Sequence, residues 1–202
     1  MIRPMILRSL ALAPAFALVL ALPAAAEKIP LNEISRYLNS LKTVVAEFTQ
    51  VNPNGSVTPG TVYIQRPGRV RFEYRGDQTL VLASGGQVAV FDKKSNTGAQ
   101  QYPLSKTPLS IILDDNINLG RARMVTAHTE KKNTTVVKAQ DPAHPEYGNI
   151  QMVFTANPTE LRQWVVTDDT GKRTTVILGQ MKKGVSIPPS RFSIAAEAER
   201  RN

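Results

Sequence analysis

Side chains with the types and spacing that catalysis or metal binding requires are scarce in this 202-residue chain. The two histidines, His128 and His144, have no further ligand at the spacing of a metal site. Adjacent carboxylates occur twice, in turn-like stretches where such residues are usually solvated: Asp114-Asp115 and Asp168-Asp169. Cysteine is absent, as are a nucleophile elbow, a phosphate-binding loop and a dinucleotide fingerprint. We therefore expect a protein that is not an enzyme and uses no metal or cofactor.

Arg66 is the candidate binding residue, because it lies at the edge of a predicted β-hairpin. A proline-glycine pair follows it and signals a turn, since proline presets one backbone dihedral and glycine tolerates the left-handed one. After the turn, Val70, Phe72 and Tyr74 alternate with charged residues, which predicts a strand with one apolar and one charged face. A plain hairpin in a half-buried sheet has the same pattern, so the spacing alone assigns no function to Arg66.

Strand signals make up most of the chain that must position this hairpin. Before them, apolar residues spaced by three and four predict a short amphipathic helix over Leu31–Leu41. The predicted strands are Val44–Val51, Thr61–Gln65, Arg69–Arg75, Thr79–Ser84, Gln87–Asp92, Gly98–Tyr102, Arg121–Thr129, Thr134–Gln140, Asn149–Thr155, Leu161–Asp168 and Arg173–Met181. Because tight turns join them, we expect one mainly β domain with a large antiparallel sheet, curled or closed, and no alternating βαβ units.

An aliphatic stretch over Thr107–Asp115 interrupts the strand pattern. It begins with a threonine and a proline, which suit a helix cap and a first helical residue, and it continues through Leu109, Ile111 and Ile112. A short helix that is apolar nearly all round must pack into an apolar recess. Two interpretations stay open, a connector helix in the core and a movable lid over one face of the sheet. We call Thr107–Asp115 the lid.

The first 26 residues have the features of a cleavable secretory signal peptide. Two arginines precede an apolar run over Leu10–Leu22, and three alanines at 24–26 offer a small-residue cleavage site. The apolar run is too short for a membrane-spanning helix. We therefore expect residues 1–26 to be removed on export and residues 27–202 to form a single soluble domain.

The charge balance is strongly basic, with 25 lysines and arginines, 16 acidic residues and a net charge of +9. Such an excess suits a protein that works near anionic surfaces, such as lipid headgroups or acidic partners. The positive residues are scattered, and no nucleic-acid-binding motif occurs, so we expect no nucleic-acid partner. Because cysteine is absent, the exported chain also has no site for a lipid-anchored cysteine.

The order of several motifs resembles the LolA family, the periplasmic carriers of outer-membrane lipoproteins. After the signal peptide and the short helix come Val45-Ala46-Glu47-Phe48-Thr49-Gln50, then Arg66-Pro67-Gly68-Arg69-Val70-Arg71-Phe72, then Leu82–Asp92 and the Thr107-Pro108-Leu109 start of the lid. The resemblance covers most of the chain after the signal peptide. Its most specific parts are the arginine-proline hairpin and the threonine-proline lid.

The resemblance implies an unclosed, or half, antiparallel β-barrel of about eleven strands with a helical lid over an apolar cavity. It implies a soluble, monomeric periplasmic carrier that takes lipoprotein acyl chains from an inner-membrane transporter (LolCDE-like) to an outer-membrane acceptor (LolB-like). In the family, the arginine of the arginine-proline motif holds the lid closed by hydrogen bonds to lid backbone, and here that position is Arg66. We expect the acyl-chain cavity to be lined by Phe48, Val70, Phe72, Tyr74 and Trp164, with Leu109, Ile111 and Ile112 beneath the lid.

Other interpretations of the same residues exist. LolB resembles LolA in fold but is anchored through a cysteine, which this chain lacks. A periplasmic regulatory domain on the same half-barrel would bind lipid or lipoprotein as a signal, although a chain of one domain favours a free carrier. Each apolar residue assigned to the cavity is also explained by core packing. After Arg191–Ile194 we expect only a charged tail over Glu197–Asn202.

Overall fold

Eleven strands form one antiparallel sheet in the computed structural model, which describes residues 28–76, 78–92, 98–121 and 123–201. The strands are β1 Thr43–Val51, β2 Val57–Gln65, β3 Arg69–Tyr74, β4 Leu80–Ser84, β5 Gln87–Phe91, β6 Gln100–Pro103, β7 Val125–Lys131, β8 Thr134–Ala139, β9 Asn149–Thr155, β10 Glu160–Thr167 and β11 Arg173–Lys183. Their order across the sheet is β6-β5-β4-β3-β2-β1-β11-β10-β9-β8-β7. The signal peptide predicted over residues 1–26 lies outside the described residues.

The sheet is not closed into a full barrel. Among the described strands, β6 pairs only with β5 at one edge, and β7 pairs only with β8 at the other. In the middle of the sheet β1 pairs with β11, with Val44 opposite Lys183 and Val51 opposite Thr175. The predicted fold class, a mainly β chain with an unclosed antiparallel sheet of eleven strands, is therefore confirmed.

The inner face of this half-barrel is apolar and lies beneath two helices. In β1, Val44, Ala46 and Phe48 are buried on this face because alternate residues of a strand point to the same side. Helices α1 (Leu31–Ser40) and α2 (Ser110–Leu113) contribute their apolar residues to the same core. A helix as short as α1 depends on such docking for its stability. The predicted helix over Leu31–Leu41 is thus confirmed to within one residue.

The lid contains a shorter helix than the sequence predicts. Only Ser110–Leu113 is α-helical, and Leu109 precedes the helix instead of lying within it. The expectation that Thr107 caps the helix is also wrong, because its hydroxyl donates to the carbonyl oxygen of Leu104 at 2.8 Å in the preceding 3-10 turn. The aliphatic residues of α2 are buried, as a short apolar helix requires.

A second apolar cluster lies on the outer face of strands β4 and β5. Its buried members are Leu80, Leu82, Ala89, Phe91, Ile187 and Phe192. The last two belong to a C-terminal segment that continues through a 3-10 turn at Pro189–Phe192 into helix α3, Ile194–Arg201. The charged tail predicted over Glu197–Asn202 is therefore helical as far as Arg201. Within this helix, Glu197 has an ion-pair partner on the sheet, Arg71 of β3.

Glu197 is the centre of a buried ion cluster between α3 and β3. Its side chain is 2% exposed and accepts hydrogen bonds from Arg71 at 2.9 Å, from Arg201 at 2.6 Å and from Arg200. Arg71, also buried, donates to Glu73 at 2.6 Å. Burial alone would raise the pKa of Glu197, but the hydrogen bonds from Arg201 and Arg71 outweigh it and hold the pKa below its usual value. The charged face predicted for β3 is thus a docking surface for α3.

Candidate functional site

The turn between β2 and β3 places Arg66 against the lid. The Arg66–Pro67 peptide is cis, and Gly68 has a φ of +68°, a backbone conformation that favours glycine. The Gly68 N–H donates to the carbonyl oxygen of Leu113 at the end of α2, at 2.9 Å. The Arg66 N–H donates to the carbonyl oxygen of Lys42, also through the backbone, at 2.8 Å. The turn is therefore fixed both to the lid and to the segment between α1 and β1.

The Arg66 guanidinium connects the lid to helix α1. Only 8% of Arg66 is exposed. Its Nη1 donates to the carbonyl oxygen of Leu38, and its Nη2 donates to Asn39 Oδ1 at 3.1 Å, to the carbonyl oxygen of Asp114, and to that of Asp115 at 3.5 Å. A planar guanidinium suits this position because it presents several donors to several carbonyls at once. These are contacts that a residue holding the lid closed would make, and that role of Arg66 stays a prediction.

The charge of Arg66 is costly to bury. Desolvation lowers the pKa of Arg66 from its usual value, while the nearby charges of Asp114 and Asp115 oppose this shift. An arginine nevertheless stays protonated in proteins, so its donors need acceptors wherever water is excluded. The carbonyl oxygens of the lid supply such acceptors only while the lid is in place.

An apolar cavity lies between α1, α2 and strands β1, β2, β10 and β11. It is lined by Leu38, Leu41, Val44, Val62, Ile64, Arg66, Ile112, Leu113, Leu161, Trp164, Leu178 and Met181. Its volume is only about 20 Å³, enough for roughly one water molecule. The interior beneath the closed lid is therefore filled by the protein's own side chains, and an acyl chain would need the lid to move.

The residues predicted to line the acyl-chain cavity lie in three places. Two of them, Trp164 and Ile112, line the cavity itself. Three others form an aromatic cluster beside Trp164: Phe48, Phe72 and Tyr74. The surrounding core contains the remaining three: Val70 and Ile111, which are buried, and Leu109, which is partly buried. Their role toward acyl chains stays a prediction.

The aromatic cluster is a closely packed wall beside the cavity. The ring centroid of Phe48 lies 5.4 Å from that of Phe72 and 5.3 Å from that of Tyr74, and Phe72 lies 6.3 Å from Trp164. Phe48 sits directly on Gly60, where an added Cβ would come within 2.6 Å of the ring. Because these rings pack against one another and against Trp164, we expect any enlargement of the cavity to begin on the side of the lid.

Two polar residues of α1 that no sequence motif marks hold the segment after the lid. Asn39 donates from Nδ2 to the carbonyl oxygen of Ile117 at 2.8 Å, and its Oδ1 accepts from the Ile117 N–H at 3.0 Å. Ser35 Oγ accepts from the N–H of Leu119 at 3.0 Å. The available signal was their spacing, because Ser35 and Asn39 lie four residues apart beside the apolar stripe of a short helix.

Replacing Asn39 with alanine is expected to loosen the segment after the lid without unfolding the sheet. The variant loses both hydrogen bonds to Ile117 and one acceptor of Arg66, which together correspond to about 2 kcal/mol of local stability. Amide hydrogen exchange at Ile117 and Leu119 should therefore accelerate roughly 30-fold, while exchange in β9 and β10 stays unchanged. Asn32→Ala, at an exposed position of the same helix, is the control. Unchanged exchange at Ile117 in the Asn39 variant would contradict the assignment.

The other polar groups considered in the sequence have structural partners. His128 Nε2 lies 2.9 Å from the carbonyl oxygen of Ile29, and His144 Nδ1 lies 2.9 Å from a carboxylate oxygen of exposed Glu146. The carboxylate of Asp168 accepts hydrogen bonds from backbone N–H groups of its own turn. Within the described ranges, no three His, Asp or Glu residues come close enough to hold a metal ion. Nor is any helix of those ranges long and apolar enough to cross a membrane.

These features define a class of protein, an unclosed antiparallel barrel whose apolar inner face lies beneath short helices joined by a buried arginine. A family model described as outer membrane lipoprotein carrier protein LolA matches residues 39–195. Since this match spans more than half of the sequence, the chain belongs to the LolA family. The resemblance drawn from the motifs is confirmed.

Individual relatives of the chain share little sequence with it. An outer-membrane lipoprotein carrier protein of Methylococcus capsulatus is 23% identical over 201 residues, which cover 92% of this chain and 96% of the relative. One of Legionella pneumophila is 24% identical over 163 residues, covering 77% of this chain and 80% of the relative. Among solved structures, a LolA superfamily protein of Nitrosomonas europaea is similar with a TM-score of 0.43 and 8% identity, covering 83% of this chain and 99% of that one.

Proposed function

We propose that this protein is a soluble periplasmic carrier that binds the acyl chains of lipoproteins and delivers them to the outer membrane. It would receive its cargo from an inner-membrane transporter of the LolCDE kind and pass it to an acceptor of the LolB kind. Membership of the LolA family supports the binding of lipoproteins, and the predicted signal peptide supports the periplasmic location. The protein acts by binding and release, without catalysing a reaction.

The need for such a carrier follows from the hydrophobic effect. Each buried methylene group contributes about 0.8 kcal/mol to the retention of an acyl chain in a membrane, and stable anchoring takes more than one chain. A lipoprotein with two or three chains therefore does not cross an aqueous compartment unaided. A carrier must cover most of this apolar surface during transfer and must then expose it again.

The observation that carries the proposal is the apolar inner face beneath α1 and the lid, which hydrogen bonds of Arg66 connect to each other. Each hydrogen bond to a charged group contributes about 1.5–3 kcal/mol. A few such bonds keep the apolar face covered when no cargo is bound, yet a partner or a cargo that binds the open form better can displace them. With a cavity of about 20 Å³, the closed form is the empty carrier, and cargo takes the place of lid side chains on the inner face.

Capture of an acylated lipoprotein tests the proposal. Protein purified from the periplasm is mixed with a diacylated lipoprotein diluted from detergent, and the soluble fraction is examined by gel filtration and native mass spectrometry. We expect a soluble one-to-one complex with the acylated form and none with a matched cysteine-to-serine lipoprotein that cannot be acylated. Failure to keep the acylated form in solution would overturn the proposal.

Delivery separates the carrier from the alternative of a lipoprotein-sensing domain. The soluble complex is added to vesicles that contain an outer-membrane acceptor, and the lipoprotein that sediments with the vesicles is measured over time. A carrier transfers its cargo to these vesicles and leaves the complex intact with vesicles that lack the acceptor. Formation of a complex that never transfers would instead support the regulatory function.

A further inference from the structure

One donor of the Arg66 guanidinium has no acceptor. Arg66 Nε is fully buried and is the one buried side-chain nitrogen or oxygen, among the described residues, that has no hydrogen-bond partner. The Nη1 and Nη2 atoms donate to Leu38, Asn39, Asp114 and Asp115. Leaving a buried donor of a charged group unpaired costs more than leaving a neutral one. Such a group in a native structure therefore calls for an explanation.

The surroundings of Arg66 define what an additional acceptor would look like. Of the described residues that line the cavity, Arg66 alone carries a charge. The others are aliphatic, except for the aromatic Trp164 and the thioether of Met181. A ligand that fits this site needs an alkyl part for the cavity wall and an oxygen acceptor for the guanidinium. An acyl chain has both, because its carbonyl oxygen lies at the head of the alkyl chain.

Movement of the lid adds further unpaired donors. Two acceptors of Nη2 are the carbonyl oxygens of Asp114 and Asp115 in the lid, so displacement of the lid by cargo removes them. Arg66 then keeps Leu38 and Asn39 of α1 as partners, and it faces the apolar side chains that line the cavity. In this state the cargo is the nearest source of new acceptors.

We propose that Arg66 binds the carbonyl oxygen of an ester-linked acyl chain, so that the residue holding the lid also recognises the head of the cargo. This inference rests on the proposed carrier function and adds a chemical preference to it. The site would select acyl esters over alkyl chains of equal length, because a site built to hydrogen-bond a group disfavours an analogue that lacks it.

The test compares two synthetic lipopeptides that differ only in the acyl carbonyls. One carries a diacylglyceryl group with two palmitoyl esters, and the other carries the corresponding dihexadecyl ether. Binding of both to the full exported chain is measured by titration calorimetry or by displacement of a fluorescent fatty acid. One added hydrogen bond to a charged group corresponds to about tenfold in affinity, so we expect the wild type to bind the ester about tenfold more tightly.

The ratio of ester to ether affinity is the quantity to compare between variants. Replacing Arg66 changes the stability of the closed lid, but this effect applies to both ligands and cancels in the ratio. Arg66→Leu is expected to bring the ratio to one, and Arg66→Lys to an intermediate value, because a lysine keeps the charge without the planar fork. Arg69→Leu removes another arginine of the same hairpin, and Gln65 is the one hydrogen-bond partner of its side chain among the described residues. This variant should keep the wild-type ratio.

The possible outcomes separate this inference from the proposed function. Equal binding of ester and ether by the wild type would overturn the role of the carbonyl and leave the carrier function standing, whereas binding of neither would overturn both. An ester preference that persists in Arg66→Leu would assign the recognition to another residue and overturn the inference. Palmitate is the third ligand. If palmitate bound more tightly than the ester lipopeptide, the ligand of Arg66 would be a fatty-acid carboxylate, and the inference would be overturned.

Discussion

Glu197→Ala is expected to lower the free energy of unfolding by about 3 kcal/mol. The side chain of Arg71 is 7% exposed, and the substitution removes the Glu197 carboxylate with which it pairs on α3. Removing one partner of a buried ion pair typically costs about 3–5 kcal/mol. The expected loss is at the low end because Arg71 keeps Glu73 at 2.6 Å and the carbonyl oxygen of Arg191 at 3.1 Å. Urea unfolding should show a lower midpoint, with a slope that is unchanged if α3 and the sheet still unfold together.

Matched variants distinguish the ion cluster from helix propensity. Glu199 lies two residues after Glu197, on the exposed side of α3. Glu199→Ala is therefore expected to change the unfolding free energy by less than about 0.5 kcal/mol. Glu197→Gln keeps the shape and one acceptor but removes the charge, so it should fall between the wild type and Glu197→Ala. If Glu197→Ala and Glu199→Ala proved equally stable, α3 would not depend on the cluster.

The same cluster gives stability a defined dependence on pH. Because the pKa of Glu197 is lower in the folded chain than in the unfolded chain, ionised Glu197 contributes stability that is fully present above the unfolded value, about 4.3 for glutamate. That contribution is lost as the pH falls through the lower, folded pKa. The wild type should therefore lose more stability than Glu197→Gln between neutral pH and acid, and equal losses would contradict the assignment.

The architecture could be predicted because each strand carries its own signal. Alternation of apolar and polar residues over Arg69–Tyr74 and Asn149–Thr155 reports the pleat of a strand, and turn residues mark the ends. The helix α1 was visible for the same reason, through apolar residues spaced by three and four. Periodicity is a local property, so it survives in a single sequence without any knowledge of distant contacts.

The details of the site depend on contacts between residues far apart in the chain. Arg66 meets Asp114 across 48 positions, and Arg71 meets Glu197 across 126 positions, and no local pattern reports either pair. The start of α2 was predicted too early in the sequence, because a threonine-proline pair suits both the start of a helix and a turn that precedes a helix. The volume of the cavity depends on how side chains from six elements pack, which lies beyond any reading of one strand.

Arg66→Leu is expected to keep the fold and to impair the release of cargo. The substitution removes the hydrogen bonds that join the lid to α1, while it also removes the cost of burying a charge. The sheet should therefore unfold at nearly the wild-type urea midpoint. The closed state, by contrast, should lose about 2–3 kcal/mol relative to the open state, so the lid opens roughly 100-fold more often. Faster amide exchange within Ser110–Leu113, relative to β9, measures this change.

A more open carrier holds its cargo more tightly. When the binding-competent state is rarely populated, the apparent dissociation constant is raised by the reciprocal of that population, and destabilising the closed lid removes this penalty. Cargo bound to Arg66→Leu should therefore be captured as before but passed to acceptor vesicles far more slowly than cargo bound to the wild type. In cells depleted of the native protein, the variant should accumulate lipoprotein in the periplasm, with Arg69→Leu as the control. Normal delivery by Arg66→Leu would show that closure of the lid over the empty inner face does not drive release, and the carrier would then need another source of free energy to give up its cargo.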